Sequence, residues 1–185
     1  MSVTTERTKF TFYTPENAEG DAKVTLESIK KKYGFVPNLF AYMAEAPYTI
    51  EAYAMLSEIL AKTDLTTAQQ QIALLAVSQY NQCDFCTVAH RGFGKLNGAS
   101  SQTMDAIHMG SIIEDPKDKA LVDMVIAITD KKGWIDQEDM DAFFEAGFTK
   151  RNIYDLILVV TTKTLSNYSN HLTRPEPNDE LLAML

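Results

Sequence analysis

The chemistry in this chain concentrates in the run Asn81-Gln82-Cys83-Asp84-Phe85-Cys86-Thr87-Val88-Ala89-His90, which holds both cysteines and one of the three histidines. On a helix, Cys83, Cys86 and His90 would stand at i, i+3 and i+7 and project within about 60° of one another. A thiol of ordinary pKa, about 8.5, is only about 3% thiolate at pH 7, and the thiolate is the nucleophile. Lowering that pKa by about 2 units takes roughly 2.7 kcal/mol of differential stabilisation. A nearby imidazole and the unpaired N–H groups of a helix N-terminus are both able to supply it. Cys86, four residues before His90, is the better candidate for the activated thiol. Cys83, a turn earlier, is placed to condense with an oxidised Cys86 and close a disulfide. The sharp reading is attack on a peroxide by Cys86, resolved by Cys83.

Other readings use the same residues. Cys-x-x-Cys-x-x-x-His offers three ligands of types that zinc accepts, but a closed site needs a fourth, and His108 and His171 are distant in sequence. A c-type haem attachment is excluded because Thr87 stands where histidine is required. A structural disulfide does not suit a chain whose first residues, with Glu6, Arg7 and Lys9, lack the pattern of a secretory signal. Two spectator cysteines in a core are the bland alternative.

The elements that position this run read as helices throughout. Ala22 to Tyr33 has helical apolar spacing at Val24, Leu26, Ile29 and Tyr33, with Gly34 as a left-handed stop. Its Lys30-Lys31-Lys32 run reads as a solvated end. A short helix near Pro37-Asn38-Leu39-Phe40 is closed by Pro47, which opens a third running through Tyr53, Leu56, Ile59 and Leu60 to Thr63. Thr66 with Gln69, or Thr67 with Gln70, fits a capping box. The helix body, Ile72 to Val77, is apolar on nearly every side and so belongs at the centre of the protein. On it Gln71, Leu75, Ser78 and Gln82 form one stripe, which places Gln71 and Ser78 near the thiols.

Asn81 marks a break, so that Cys83 opens the next helix and Gly98 ends it. Further helices are expected from Ser100 to Met109, from Pro116 to a stop at Gly133, and from Asp136 through Phe144. His108, in the first of these, reads as a surface or packing histidine. A long last helix is capped by Thr149, and its polar end, Thr164, Asn167, Asn170 and His171, is suited to lining a pocket or a subunit contact. Pro175 and Pro177 finish regular structure and leave an apolar tail, Leu181, Leu182 and Leu185, of the kind that packs on a neighbour. No period-2 run survives, so the fold is all-α, one bundle of about seven to nine helices. Residues 1–20 read as a loose N-terminal segment, 21–174 as the helical domain and 175–185 as the tail.

At 185 residues, with 45% hydrophobic and 23% charged residues, the chain can bury a core without disulfides or metals. A net charge of -8 argues against nucleic acid, which needs a basic patch. No stretch spans a membrane, and the cytoplasm, where thiols stay reduced, is the expected location.

The run from Leu65 to His90, with Val77-Ser78-Gln79-Tyr80-Asn81-Gln82-Cys83-x-x-Cys86-x-x-x-His90, resembles the AhpD-type alkylhydroperoxidases of the carboxymuconolactone decarboxylase family. Gly34-Phe35-Val36-Pro37-Asn38 and Asn167-Tyr168-Ser169-Asn170-His171 are similar to its peroxidase-related branch. The resemblance implies an all-α fold assembled into homotrimers or homohexamers, with active sites close to subunit contacts. It implies that Cys86 is oxidised to sulfenic acid, that Cys83 is its disulfide partner and proton donor, and that His90 belongs to a proton relay. The expected substrate is a peroxide, and the reductant a dithiol protein or small thiol, with neither metal nor cofactor.

Two positions depart from the family pattern. Gln71 stands where those enzymes carry glutamate, and Phe85 where the best-known members have histidine between the cysteines. A glutamine orients a partner but cannot take up a proton at neutral pH. The site as read is therefore Cys83, Cys86, His90 and Gln71, with His90 as sole base or assisted by His171. Two other classes stand beside this one: a lyase like the decarboxylases that name the family, and a non-catalytic helical oligomer that binds a metal or small ligand.

Overall fold

A computed structural model describes residues 8–185, which form ten helices with no strand among them. The expected count was seven to nine; the excess is α10, a single turn in the tail. The helices are α1 (Gly20–Tyr33), α2 (Asn38–Met43), α3 (Pro47–Leu60), α4 (Thr67–Tyr80), α5 (Asp84–Leu96), α6 (Ser101–Met109), α7 (Pro116–Asp130), α8 (Gln137–Glu145), α9 (Lys150–Thr173) and α10 (Asp179–Leu182).

The local signals act as expected at most boundaries. Gly34 takes φ 83° and its N–H donates to Lys30 O, ending α1. Of the two possible capping boxes on α4, Thr66 with Gln69 forms. Gln70 instead turns inward, donating to Leu65 O and to the Thr63 hydroxyl. Thr149 and Asn152 form a second capping box at the start of α9. Lys30, Lys31 and Lys32 are exposed, and so is His108. Val24, which the spacing put on the apolar face of α1, is 66% exposed: only Leu26 and Ile29 of that helix are buried.

The apolar α4 is central and packs against α5, α6, α7 and α9. From it one core spreads over α7 to α9, through Leu75, Val77, Leu121, Met124, Phe143 and Leu156. A second core joins the first three helices to α5, with Leu26, Phe40 and Ile50 against Phe85 and the two cysteines. The candidate site lies in this second core, where α9 also crosses α5.

The tail corrects an expectation. Its leucines do not all await a neighbour, because α10 folds back on α5 and buries Leu181 to 1% exposure beside the cysteines. The close approach needs Gly92: a methyl there would lie 2.7 Å from Met184 Cβ. Asn178 and Asn38 exchange hydrogen bonds that fix the tail to the start of α2. At the other end, residues 1–7 of the expected loose segment lie outside the described residues. Beyond them, Tyr13 N donates to Ala41 O, Phe12 packs edge-on against Tyr42, and Ala18 is buried, so this part is attached to the second core. Among the described residues no helix is long and apolar enough to cross a membrane.

Candidate active site

The break at Asn81 creates the site. α4 ends at Tyr80, and Gln82 adopts φ 56°, a left-handed conformation that turns the chain sharply. Cys83 follows as the N-cap of α5, its N–H donating to Ser78 O and its carbonyl accepting from Thr87 N. Cys86 then sits in the first turn, where unpaired N–H groups favour a negative charge. Both sulfurs are reduced and each residue is 2% exposed.

Asn170, reaching over from α9, holds the pair: its Nδ2 donates to Cys86 Sγ at 3.1 Å and to Cys83 Sγ at 3.6 Å. Asn167, one turn earlier, accepts at Oδ1 from Asn81 Nδ2 at 3.0 Å. A buried amide atom here, Asn170 Oδ1, lacks a hydrogen-bond partner among the described residues.

The two thiols diverge in acidity. For Cys86, burial favours the neutral thiol, but the hydrogen bond from Cys83, the charge of Lys163 and the amides of Asn170 and Asn167 outweigh it and pull the pKa down to about 5. Cys83 moves the opposite way, because its proton is engaged with the Cys86 sulfur and its own surroundings are buried. The pair therefore shares one proton, held on Cys83, and Cys86 carries the charge.

His90 is brought to this site, but in a different role from the one its spacing suggested. Its Nδ1–H donates to Gln71 Oε1 at 3.0 Å, and its Nε2 accepts from Lys163 Nζ at 2.8 Å. An ammonium can only donate, which fixes the tautomer. Burial, together with the Lys163 charge, pushes the His90 pKa well down, so the ring is neutral. The cation that favours the Cys86 thiolate is thus Lys163, which is 1% exposed, rather than an imidazolium at His90. Gln71 joins the site through His90. Ser78 joins through its backbone carbonyl, which accepts from Cys83 N–H, while its hydroxyl donates to Leu74 O within its own helix. His171, exposed on the last turn of α9 and stacked on Tyr168, lines a cleft that also reaches Cys83.

Sequence reasoning missed Lys163 altogether, and it gave Asn167 and Asn170 only as pocket-lining residues, not as partners of Asn81 and the sulfurs. All three stand at i, i+4 and i+7 on α9, a polar stripe in which each residue is 4% exposed or less. Lysine and asparagine are rarely buried without partners, so polar residues at helical spacing in a core-facing helix are the signal that finds them.

Two spaces flank the sulfurs. A small cavity of about 70 Å³ is walled by Tyr53, Phe85, Cys86, His90, Phe93 and Lys163. A wider cleft of about 570 Å³ reaches Cys83, together with Gln82, Asn170, Arg174 and Glu176. The first lies among aromatic side chains; the second is open and polar-rimmed. Burial, together with the negative charge at Cys86, keeps the Tyr53 phenol protonated.

The zinc reading loses its ligands in this arrangement. Among the described residues no three of His, Cys, Asp and Glu converge on one point, and both nitrogens of His90 are occupied.

An all-helical single domain with a thiol pair at the N-terminus of one helix, backed by a long polar-striped helix, has the AhpD-like fold. Residues 47–113, from α3 to the start of the α6–α7 connection, match the model of the Carboxymuconolactone decarboxylase family. The fold as a whole is shared with an AhpD-core, peroxidase-related protein from Ralstonia eutropha JMP134, at TM-score 0.81 and 24% identity over 95% of both chains. A peroxidase-related protein from Silicibacter sp. TM1040 matches at TM-score 0.75 and 21% identity over 97% of both. The debrominase Bmp8, in complex with 2,3,4-tribromopyrrole, matches at TM-score 0.77 and 13% identity over 96% of both. Against curated proteins the sequence gives no match.

Proposed function

We propose that this protein is a thiol-dependent peroxidase, in which the Cys86 thiolate attacks a peroxide and Cys83 closes the disulfide. The observation that carries the reading is the buried Cys86 sulfur, held by Asn170 at 3.1 Å and walling a small apolar cavity with Lys163 and His90. Attack by the sulfur on the outer peroxide oxygen breaks the O–O bond and leaves an alkoxide or hydroxide, which must be protonated as it departs. Lys163, an ammonium on the same cavity wall, supplies that proton, and the Gln71–His90 pair holds it in place. The Cys86 sulfenic acid then condenses with the Cys83 thiol, releasing water and forming the disulfide. A thiol reductant returns the pair to its starting state.

In this scheme His90 positions the ammonium, solvent returns its proton after each turnover, and Gln71 orients the ring in place of the family glutamate. The peroxidase-related relatives of the same fold support the assignment. In a Cys83→Ser variant the sulfenic acid has no partner, so a dimedone adduct at Cys86 after treatment with cumene hydroperoxide is the expected result. Absence of the adduct in folded protein overturns the reading.

One observation favours a second reading. The aromatic lining by Tyr53, Phe85 and Phe93 suits a flat ring as well as a hydroperoxide, and the relative Bmp8 is a debrominase. Reductive removal of a halogen would use the same two electrons and leave the same disulfide. Release of bromide from 2,3,4-tribromopyrrole, faster than any reduction of hydroperoxide, would select it. The lyase reading rests on the family name alone and predicts turnover that survives loss of both thiols.

A further inference from the structure

The two cysteines line different spaces. Cys86 walls the small aromatic cavity and not the cleft, whereas Cys83 walls the polar cleft and not the cavity. At the floor of the cleft Asn170 is 4% exposed, its Nδ2 committed to the sulfurs and its Oδ1 without a partner. A buried acceptor with nothing to accept is expensive to retain unless a ligand with a donor uses it. The peroxide chemistry proposed above does not use it, because that chemistry takes place in the cavity that Cys86 lines, and Asn170 does not line that cavity.

We infer that the cleft formed by Gln82, Cys83, Asn170, Arg174 and Glu176 is the entry site for a small thiol reductant, which attacks Cys83 while the oxidant enters separately at Cys86. This inference rests on the peroxidase reading. The thiolate of the reductant attacks Cys83 Sγ, the Cys83–Cys86 bond breaks, and Cys86 leaves as a thiolate. A second reductant thiolate then attacks the mixed disulfide at its own sulfur. The products are a reductant disulfide and a Cys83 thiolate, which takes up the proton it holds in the resting pair. The direction follows from the chemistry of exchange, since the sulfur of lower pKa leaves faster and Cys86 is that sulfur. A reductant amide N–H is the donor that Asn170 Oδ1 lacks. Because Cys83 is 2% exposed beneath the cleft, a slender thiol reaches it more readily than a sulfur fixed on a folded protein surface.

The test is made on the full chain oxidised with diamide, so that it does not depend on peroxide as the oxidant. Limiting glutathione is added, exchange is stopped with acid, free thiols are alkylated, and the adduct is located by peptide mass mapping. Glutathione is expected on Cys83 in at least roughly nine-tenths of the trapped mixed disulfide, following the leaving-group rule. An adduct mainly on Cys86 overturns the inference and leaves the peroxidase reading standing. A pair that diamide cannot close overturns both.

A second measurement separates the two entrances. Glu176 is an exposed residue lining the cleft, so Glu176→Trp narrows the entry. That variant should slow reduction by glutathione roughly tenfold, while oxidation of Cys86 by cumene hydroperoxide stays within about twofold, because only exchange needs the cleft. Ala89→Leu, which fills the aromatic cavity, should show the reverse pattern. Equal slowing of both half-reactions in either variant means that one entrance serves both and sinks the proposal.

Discussion

Replacing Lys163 by methionine keeps the length and apolar stem of the side chain and removes its charge. Cys86 has a pKa of about 5 because the Cys83 hydrogen bond, the Lys163 charge and the α9 amides together overcome burial. One unit charge acting across a few ångströms at an effective dielectric near 20 contributes about 2 to 4 kcal/mol. That is roughly 1.5 to 3 pKa units, which moves Cys86 in the variant to between about 6.5 and 8. At pH 6 the thiolate fraction then falls from about nine-tenths to between about 1 and 25%, and the rate of alkylation falls roughly 4- to 90-fold. The assay is iodoacetamide labelling at Cys86, followed by mass spectrometry from pH 4 to 9 and paralleled by thiolate absorbance near 240 nm. Loss of the Lys163 donor also leaves His90 Nε2 unpaired, so a thermal melt must show that the variant is folded. A folded Lys163→Met protein in which Cys86 still titrates near 5 refutes the assignment of Lys163 as the activating charge.

Other perturbations follow from the same geometry. Asn170→Leu removes a charge-assisted donor worth about 1.5 to 3 kcal/mol and should raise the Cys86 pKa by about 1 to 2 units in the same labelling assay. Gln71→Glu places a carboxylate on His90 Nδ1 and should increase hydroperoxide turnover at least roughly tenfold, since a positioned base is worth 10² or more. The Cys86 pKa is lowered in the folded state, so its stabilising contribution is complete above the unfolded thiol pKa, near 9, and is lost as pH falls toward 5. Urea denaturation should therefore show the wild type losing up to about 1.4 kcal/mol per pH unit relative to Cys86→Ala between pH 8 and 6. His90, held neutral by burial, acts with the same sign only below the ordinary histidine range. Leu181→Ala should lower stability by about 2 to 5 kcal/mol, as expected for a leucine deleted from a core, and expose both cysteines to alkylation.

The local part of this site was legible in the sequence. Residue types and spacing located Cys83, Cys86 and His90, and Asn81 marked the break that makes Cys83 an N-cap. The apolar body of α4 predicted its central place. What spacing could not reach was the partner of each group. Gln71 and Lys163 meet at His90 from positions 19 residues before it and 73 after it in the chain. A local pattern offers the i+4 imidazole as the activator, whereas the folded core supplies a buried ammonium from α9. Asn167 and Asn170 were visible as polar residues suited to lining a pocket, whereas Lys163, a turn earlier, drew no notice, and the burial of all three depends on α9 crossing α5. Leu181 was misread for a related reason: an apolar residue after Pro175 and Pro177 reads as available, and only Gly92 shows that α5 has room for α10.

The central claim is that Cys86 is a resident thiolate facing a cavity that admits hydroperoxides. Stopped-flow measurement of Cys86 oxidation by cumene hydroperoxide from pH 4 to 9 tests it most directly. The account predicts a second-order rate constant that is flat from pH 9 to about 6 and falls to half near pH 5. A rate that rises through pH 8 to 9 like that of an ordinary thiol, or no oxidation at Cys86 at any pH, would contradict it.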